Sequence, residues 1–125
     1  YKVAACDDWI RLNIISGPTG EYGAPEGLSA LTGVIISSLD TQACAGTELT
    51  ISAVDEAGDP LPMYSGTNPA NIKLQIDSAG NLISANGSDY TVDQNPLTAD
   101  FMISFVNPTS LANSVGGLII QTSPI

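Results

Sequence analysis

The chain has 125 residues, 43% of them hydrophobic, with three cations, thirteen carboxylates, no histidine and a formal net charge of −10. That balance excludes a basic stripe for nucleic acid, disfavours anionic membrane surfaces, and removes Ser/His/Asp, Cys/His and histidine-ligated metal centres. One domain is expected over residues 1–125, long enough to bury about two thirds of its unfolded surface in a single core. Charged residues are only 13% of the chain, about half the usual share. The solvent face is therefore left to Ser, Thr, Asn, Gln and Gly, the surface habit of extracellular β modules.

In chain order, roughly the first 30 residues read as an N-terminal extension. Tyr1 and Val3 lie in an apolar, strand-like stretch, and a chain opening on Tyr is expected to have lost an export signal or to be an excised fragment. Cys6 and Cys44 make one candidate disulfide, which suits an exported protein; two buried thiols are the alternative. Ile10, Leu12 and Ile14 alternate with Arg11 and Asn13, which has the period of a strand with one apolar face. Trp9 lies on the polar phase of that strand, either covering a sheet end or offering a stacking surface for a sugar. The Gly/Pro-rich stretch 16–27 is expected as a long loop, followed by one helical turn over Leu28 to Leu31 and a strand at Val34-Ile35-Ile36.

Further on, Leu49, Ile51 and Ala53 alternate with polar residues, as do Ile72, Leu74 and Ile76, and then Phe101, Ile103 and Phe105. A weaker strand is expected around Tyr90-Thr91-Val92, and a last one over 115–122 after Gly116-Gly117. Turn formers fill the gaps, at 55–60, 78–81, Asn86-Gly87 and Asn107-Pro108. About seven to eight short strands, regular turns and no ten-residue helical pattern predict an all-β, antiparallel sandwich. Leu12, Ile51, Leu74, Ile76, Phe101, Ile103 and Phe105 are its expected core. No apolar run approaches the roughly 18 residues of a membrane helix, so no membrane insertion is expected.

The run Ala45-Gly46-Thr47-Glu48-Leu49-Thr50-Ile51-Ser52-Ala53-Val54-Asp55-Glu56-Ala57-Gly58-Asp59-Pro60-Leu61, with Tyr64-Ser65-Gly66-Thr67 after it, resembles the strand–turn signature of bacterial immunoglobulin-like domains of the invasin and filamin-like kind. The resemblance spans roughly residues 44–122. It implies an immunoglobulin-like fold in an extracellular scaffold or adhesin and carries no catalytic residues. The first forty residues depart from it.

Carboxylates are the only acid–base material. Asp7 and Asp8 adjoin Cys6, while Asp55, Glu56 and Asp59 share one turn. Neighbours in one turn do not face each other across a substrate as glycoside hydrolysis requires, so no enzyme is expected. Such aspartates commonly bond their own backbone. The rival reading is Ca²⁺, with Asp55, Glu56 and Asp59 as ligands and Asp40 or Asp77 arriving from another loop; no other cofactor is expected. Asn86-Gly87-Ser88 matches a glycosylation sequon and also suffices as a turn. Tyr1, Val3, Leu118, Ile119 and Ile120 are candidate assembly residues, because a terminal strand can be lent to a neighbour's sheet edge. The expected function is a non-enzymatic extracellular module, a subunit of a surface filament or pilus or an adhesin domain, with its own copies or other filament subunits as partners. The alternative is a carbohydrate- or Ca²⁺-binding sandwich, with a glycan as partner.

Overall fold

A computed structural model describes residues 3–4, 10–21, 24–66, 68–84, 89–94 and 100–124. Its strands are β1 (Val3–Ala4), β2 (Arg11–Thr19), β3 (Ser29–Ser37), β4 (Thr47–Val54), β5 (Asn71–Ile76), β6 (Leu82–Ser84), β7 (Tyr90–Gln94), β8 (Phe101–Phe105) and β9 (Gly117–Pro124), with a single 3-10 turn at Ala112–Ser114. They form two sheets of order β1-β9-β4-β5-β6 and β2-β3-β8-β7. Lettered from β2 as A to F, with C′ and C″ for β5 and β6, the sheets read A-B-E-D and F-C-C′-C″. This order matches the A-B-E-D and F-C-C′-C″ parts of a variable-type immunoglobulin sandwich, without its strand G among the described residues. The fold is thus an all-β sandwich, antiparallel throughout except for β1, which pairs with β9 in parallel where strand G would lie.

Alternation sets the dry faces. Leu49, Ile51, Ile72, Leu74, Ile76 and Ile120 of the first sheet are fully buried against Leu12, Val34, Ile36 and Ile103 of the second. All seven residues expected in the core are there, Phe101 and Phe105 at 7% exposure.

The stretch read as a loop from residue 16 behaves differently. Ser16 and Thr19 still pair, with Leu31 and Ser29, across register shifts. Pro18 is tolerated because β2 is an edge strand and the shifts leave Pro18 outside the ladder. The expected helical turn at Leu28 to Leu31 is also corrected. The Leu28 N–H closes a tight turn on the Pro25 carbonyl at 3.0 Å, and the chain is extended from Ser29 onward. Ile15 opposite Gly33 and Ser16 opposite Leu31 leave Thr32 unopposed, a bulge that turns Leu31 into the core. Residues 11–19 therefore build an edge strand of the second sheet. Strand β6, too short to show a period, is absent from the sequence reading.

Candidate functional site

The chemistry-bearing residues gather in three places. The first is a pair of hairpin loops with one design. At 55–59 the sequence is Asp-Glu-Ala-Gly-Asp, and at 77–81 it is Asp-Ser-Ala-Gly-Asn. In the first, Asp55 Oδ1 accepts the N–H groups of Ala57 at 2.9 Å and Asp59 at 3.0 Å. In the second, Asp77 Oδ1 accepts those of Ala79 and Asn81, both at 2.9 Å. The glycine N–H bonds the aspartate carbonyl at 3.0 Å in both, with φ of 87° at Gly58 and 85° at Gly80. A positive φ is available to glycine at little cost, which is why it stands fourth in each loop. Val54 bridges Pro60 as Ile76 pairs with Leu82.

The Ca²⁺ reading takes its ligands from these loops. Asp55 spends an oxygen on its own loop, and Asp40 does the same with the N–H groups of Gln42 and Ala43, each at 3.1 Å. Asp77 sits in the other loop. Among the described residues no three His, Cys, Asp or Glu side chains gather as a metal shell. Asp55 and Glu56 instead line a wide concavity of about 390 Å³ with Ala57, Asn113 and Ser114. The neighbouring chain is close there. A Cβ on Gly116 would stand 2.3 Å from the Asp55 carbonyl oxygen.

The second place is a buried aromatic pillar that the strand pattern does not reveal. Tyr64 packs edge-on to Tyr90 at 5.3 Å between centroids and lies tilted on Phe105 at 5.6 Å. The Tyr64 hydroxyl points at the Asn68 and Asn71 carbonyls, at 2.9 and 2.5 Å. Tyr90 crosses the sandwich, accepting the Lys73 N–H at 2.8 Å and donating to the Lys73 carbonyl at 3.0 Å. Because β6 pairs with β5 only from Leu74 onward, this phenol does for Lys73 what a strand would. Burial, reinforced by Tyr90 and Asp89, pushes the Tyr64 phenol up to about 12. Burial also raises Tyr90, opposed by its bond from the Lys73 backbone. The Asp89 carboxylate rests where a side chain on Gly66 would be, 2.2 Å from a Cβ placed there. These are structural groups. Both phenols bond backbone groups, and Tyr64 and Tyr90 are each only 2% exposed. A paired tyrosine and backbone partner has no spacing rule that a sequence reading could have used.

The third place is the rim where β1 meets β9, with Val3 opposite Ile120 and Ala4 opposite Gln121. Of the candidate assembly residues, Leu118 and Ile120 face the core at 2% and 0% exposure, so their side chains are not available to a neighbour. Ile119 is half-buried on the opposite face. β9 is paired with β4 from Gly117 to Pro124, so only its β1 side is a rim. Cys44 is fully buried in the core, and among the described residues no cysteine is a free thiol. Tyr1, Cys6, Asp7, Asp8, Trp9 and Asn86-Gly87-Ser88 lie outside the described residues. Among the described residues no helix is long and apolar enough to cross a membrane.

No protein-family description, curated protein or solved structure matches the chain.

Proposed function

We propose that the chain is a non-enzymatic extracellular structural module, a filament or pilus subunit or an adhesin domain, closed by a Cys6–Cys44 disulfide and joined to its neighbours through its N-terminal strand. The observation that supports this is the seat of β1, which lies on β9 at two register positions in the place of strand G. A two-residue strand at a sheet rim is held weakly, and the same segment of a neighbouring copy makes identical contacts there. The self-capping loops support a scaffold over a binding site, since their aspartates are engaged in holding the turns. Export agrees with the low share of charged residues, 13%, and with the proposed bridge.

Deletion of residues 1–5 tests the reading. The intact chain is expected to form species larger than a dimer under oxidising conditions, seen by sedimentation and electron microscopy. The deletion is expected to abolish them and keep the β-sheet circular dichroism spectrum. An intact chain that never exceeds a dimer removes the filament reading.

A further inference from the structure

We propose that the outer face of the sheet β2-β3-β8-β7 is a docking surface for the same face of a second copy of this chain. Its rows follow from the register. Asn13, Ile35, Met102 and Asp93 stand side by side across the four strands, and Ile15, Gly33, Ser104 and Thr91 form the next row. Arg11 lies one row beyond Asn13, opposite Ser37. The centre of this face is apolar, with Met102 at 43% exposure and Ile35 and Ile15 half-buried beside it. The outer face of the other sheet carries Glu48, Thr50, Ser52, Asn71, Lys73, Gln75 and Gln121 on β4, β5 and β9, with Ile119 and the exposed Ile83 of β6 toward its margins. One wet face is polar at its centre, on β4 and β5; the other is apolar there, on β3 and β8.

Shape adds to this. Gly33 puts no side chain into the second row, because the Ile103 carbonyl oxygen, 2.1 Å away, and Ile15 Cδ1, 3.2 Å away, close on the place a Cβ would take. Beside Met102 lies a shallow depression of about 240 Å³ lined by Ile15, Pro18, Thr32, Met102 and Ser104, among others. A protruding Met102 beside a depression is the relief that a self-complementary contact uses.

Charge chooses the occupant. The cation Arg11 is on β2 and the anion Asp93 on β7, at opposite margins of the face, both exposed. A twofold axis parallel to the strands, between β3 and β8, lays β2 of one copy over β7 of the other. It sets Ile35 against the second copy's Met102 and brings Arg11 within one row of the second copy's Asp93. Each charge occurs twice, so two ion pairs flank one apolar strip. Two molecules of net charge −10 thus meet on faces that attract. Sheets packed face to face lie within about 30° of parallel, which this pairing satisfies.

The inference does not rest on the terminal-strand reading, since the face lies on the other sheet from β1 and β9. Sedimentation equilibrium of the full chain tests it, with thermal melts to confirm folding. The expected result is a concentration-dependent dimer that persists when residues 1–5 are deleted. Met102→Lys, with Met102→Thr as a milder second variant, is expected to weaken it at least about tenfold. Arg11→Glu and Asp93→Lys are each expected to weaken it about tenfold at low salt, and the double variant to restore it. A chain that stays monomeric up to about 1 mM, well beyond the range of specific dimers, overturns the proposal. So does a dimer indifferent to both Met102 variants, or a double variant no tighter than the singles.

Discussion

The loops at 55–59 and 77–81 share four backbone and carboxylate hydrogen bonds and the same glycine conformation, yet their surroundings differ. At Asp77 the last loop residue is Asn81, whose Nδ2 donates to Asp77 Oδ2 at 3.2 Å. At Asp55 the same position holds Asp59, a second negative charge. Gly80 is covered by Gln42, whose amide nitrogen donates to the Ala79 carbonyl at 3.3 Å, while nothing lies within 4 Å of a Cβ on Gly58. The Asn81 backbone N–H leads a set of bonds that hold the Asp77 carboxyl below its ordinary range. A five-residue pattern thus suffices for a loop's shape. What the loop touches depends on which chain segment crosses it.

Four measurements break or sharpen that comparison. The largest effect concerns the core from which both loops hang. Phe105→Ala should cost about 3–5 kcal/mol in denaturant unfolding, through lost transfer energy and a cavity. A cost under about 1 kcal/mol would place Phe105 outside the shared core.

The second uses pH. The Tyr64 and Tyr90 hydroxyls hold Asn71 and Lys73 of β5, the strand that leads into the 77–81 loop. The Tyr64 phenol is raised from 10.0 to about 12, so the fold favours its neutral, donating form. That contribution is complete below pH 10 and lost as pH rises through about 12. Alkaline unfolding is expected in that window, and Tyr64→Phe should blunt its pH dependence while lowering neutral stability by about 1 kcal/mol.

The third separates the glycines. Gly58→Ala forces a left-handed φ on alanine in open space and should cost about 1–2 kcal/mol. Gly80→Ala carries the same strain and also displaces the Gln42 amide, 2.4 Å from the new carbon, so its melting temperature should fall further. Equal losses would show that the Gln42 contact contributes nothing.

The smallest effect tests charge. Asp59→Asn recreates the Asn81 arrangement and should stabilise by about 0.3 kcal/mol. Asp77→Asn should do the opposite, and only above the acid range. The Asp77 carboxyl is lowered from 3.8 on folding, so its contribution is present above that value and disappears as pH falls through the lowered one. Melting curves of wild type and Asp77→Asn should therefore converge in acid.

The sequence by itself determined the class of fold and most of the core. Period-two alternation at Leu49-Ile51-Ala53, Ile72-Leu74-Ile76 and Phe101-Ile103-Phe105 assigns each side chain to one face of a strand, and a one-residue slip would bury the polar set instead. It determined the loop positions too, since Asp and Gly at fixed spacing bond locally and need no distant partner. Tertiary structure alone decided that Pro18 stays within a strand, because only pairing with β3 makes residue 18 part of an edge. It decided that Tyr90 reaches Lys73 across the sandwich and that β1 lies on β9. Each of these joins residues far apart in the chain. Alternation records which way a side chain points, and it carries no information about which strand stands opposite.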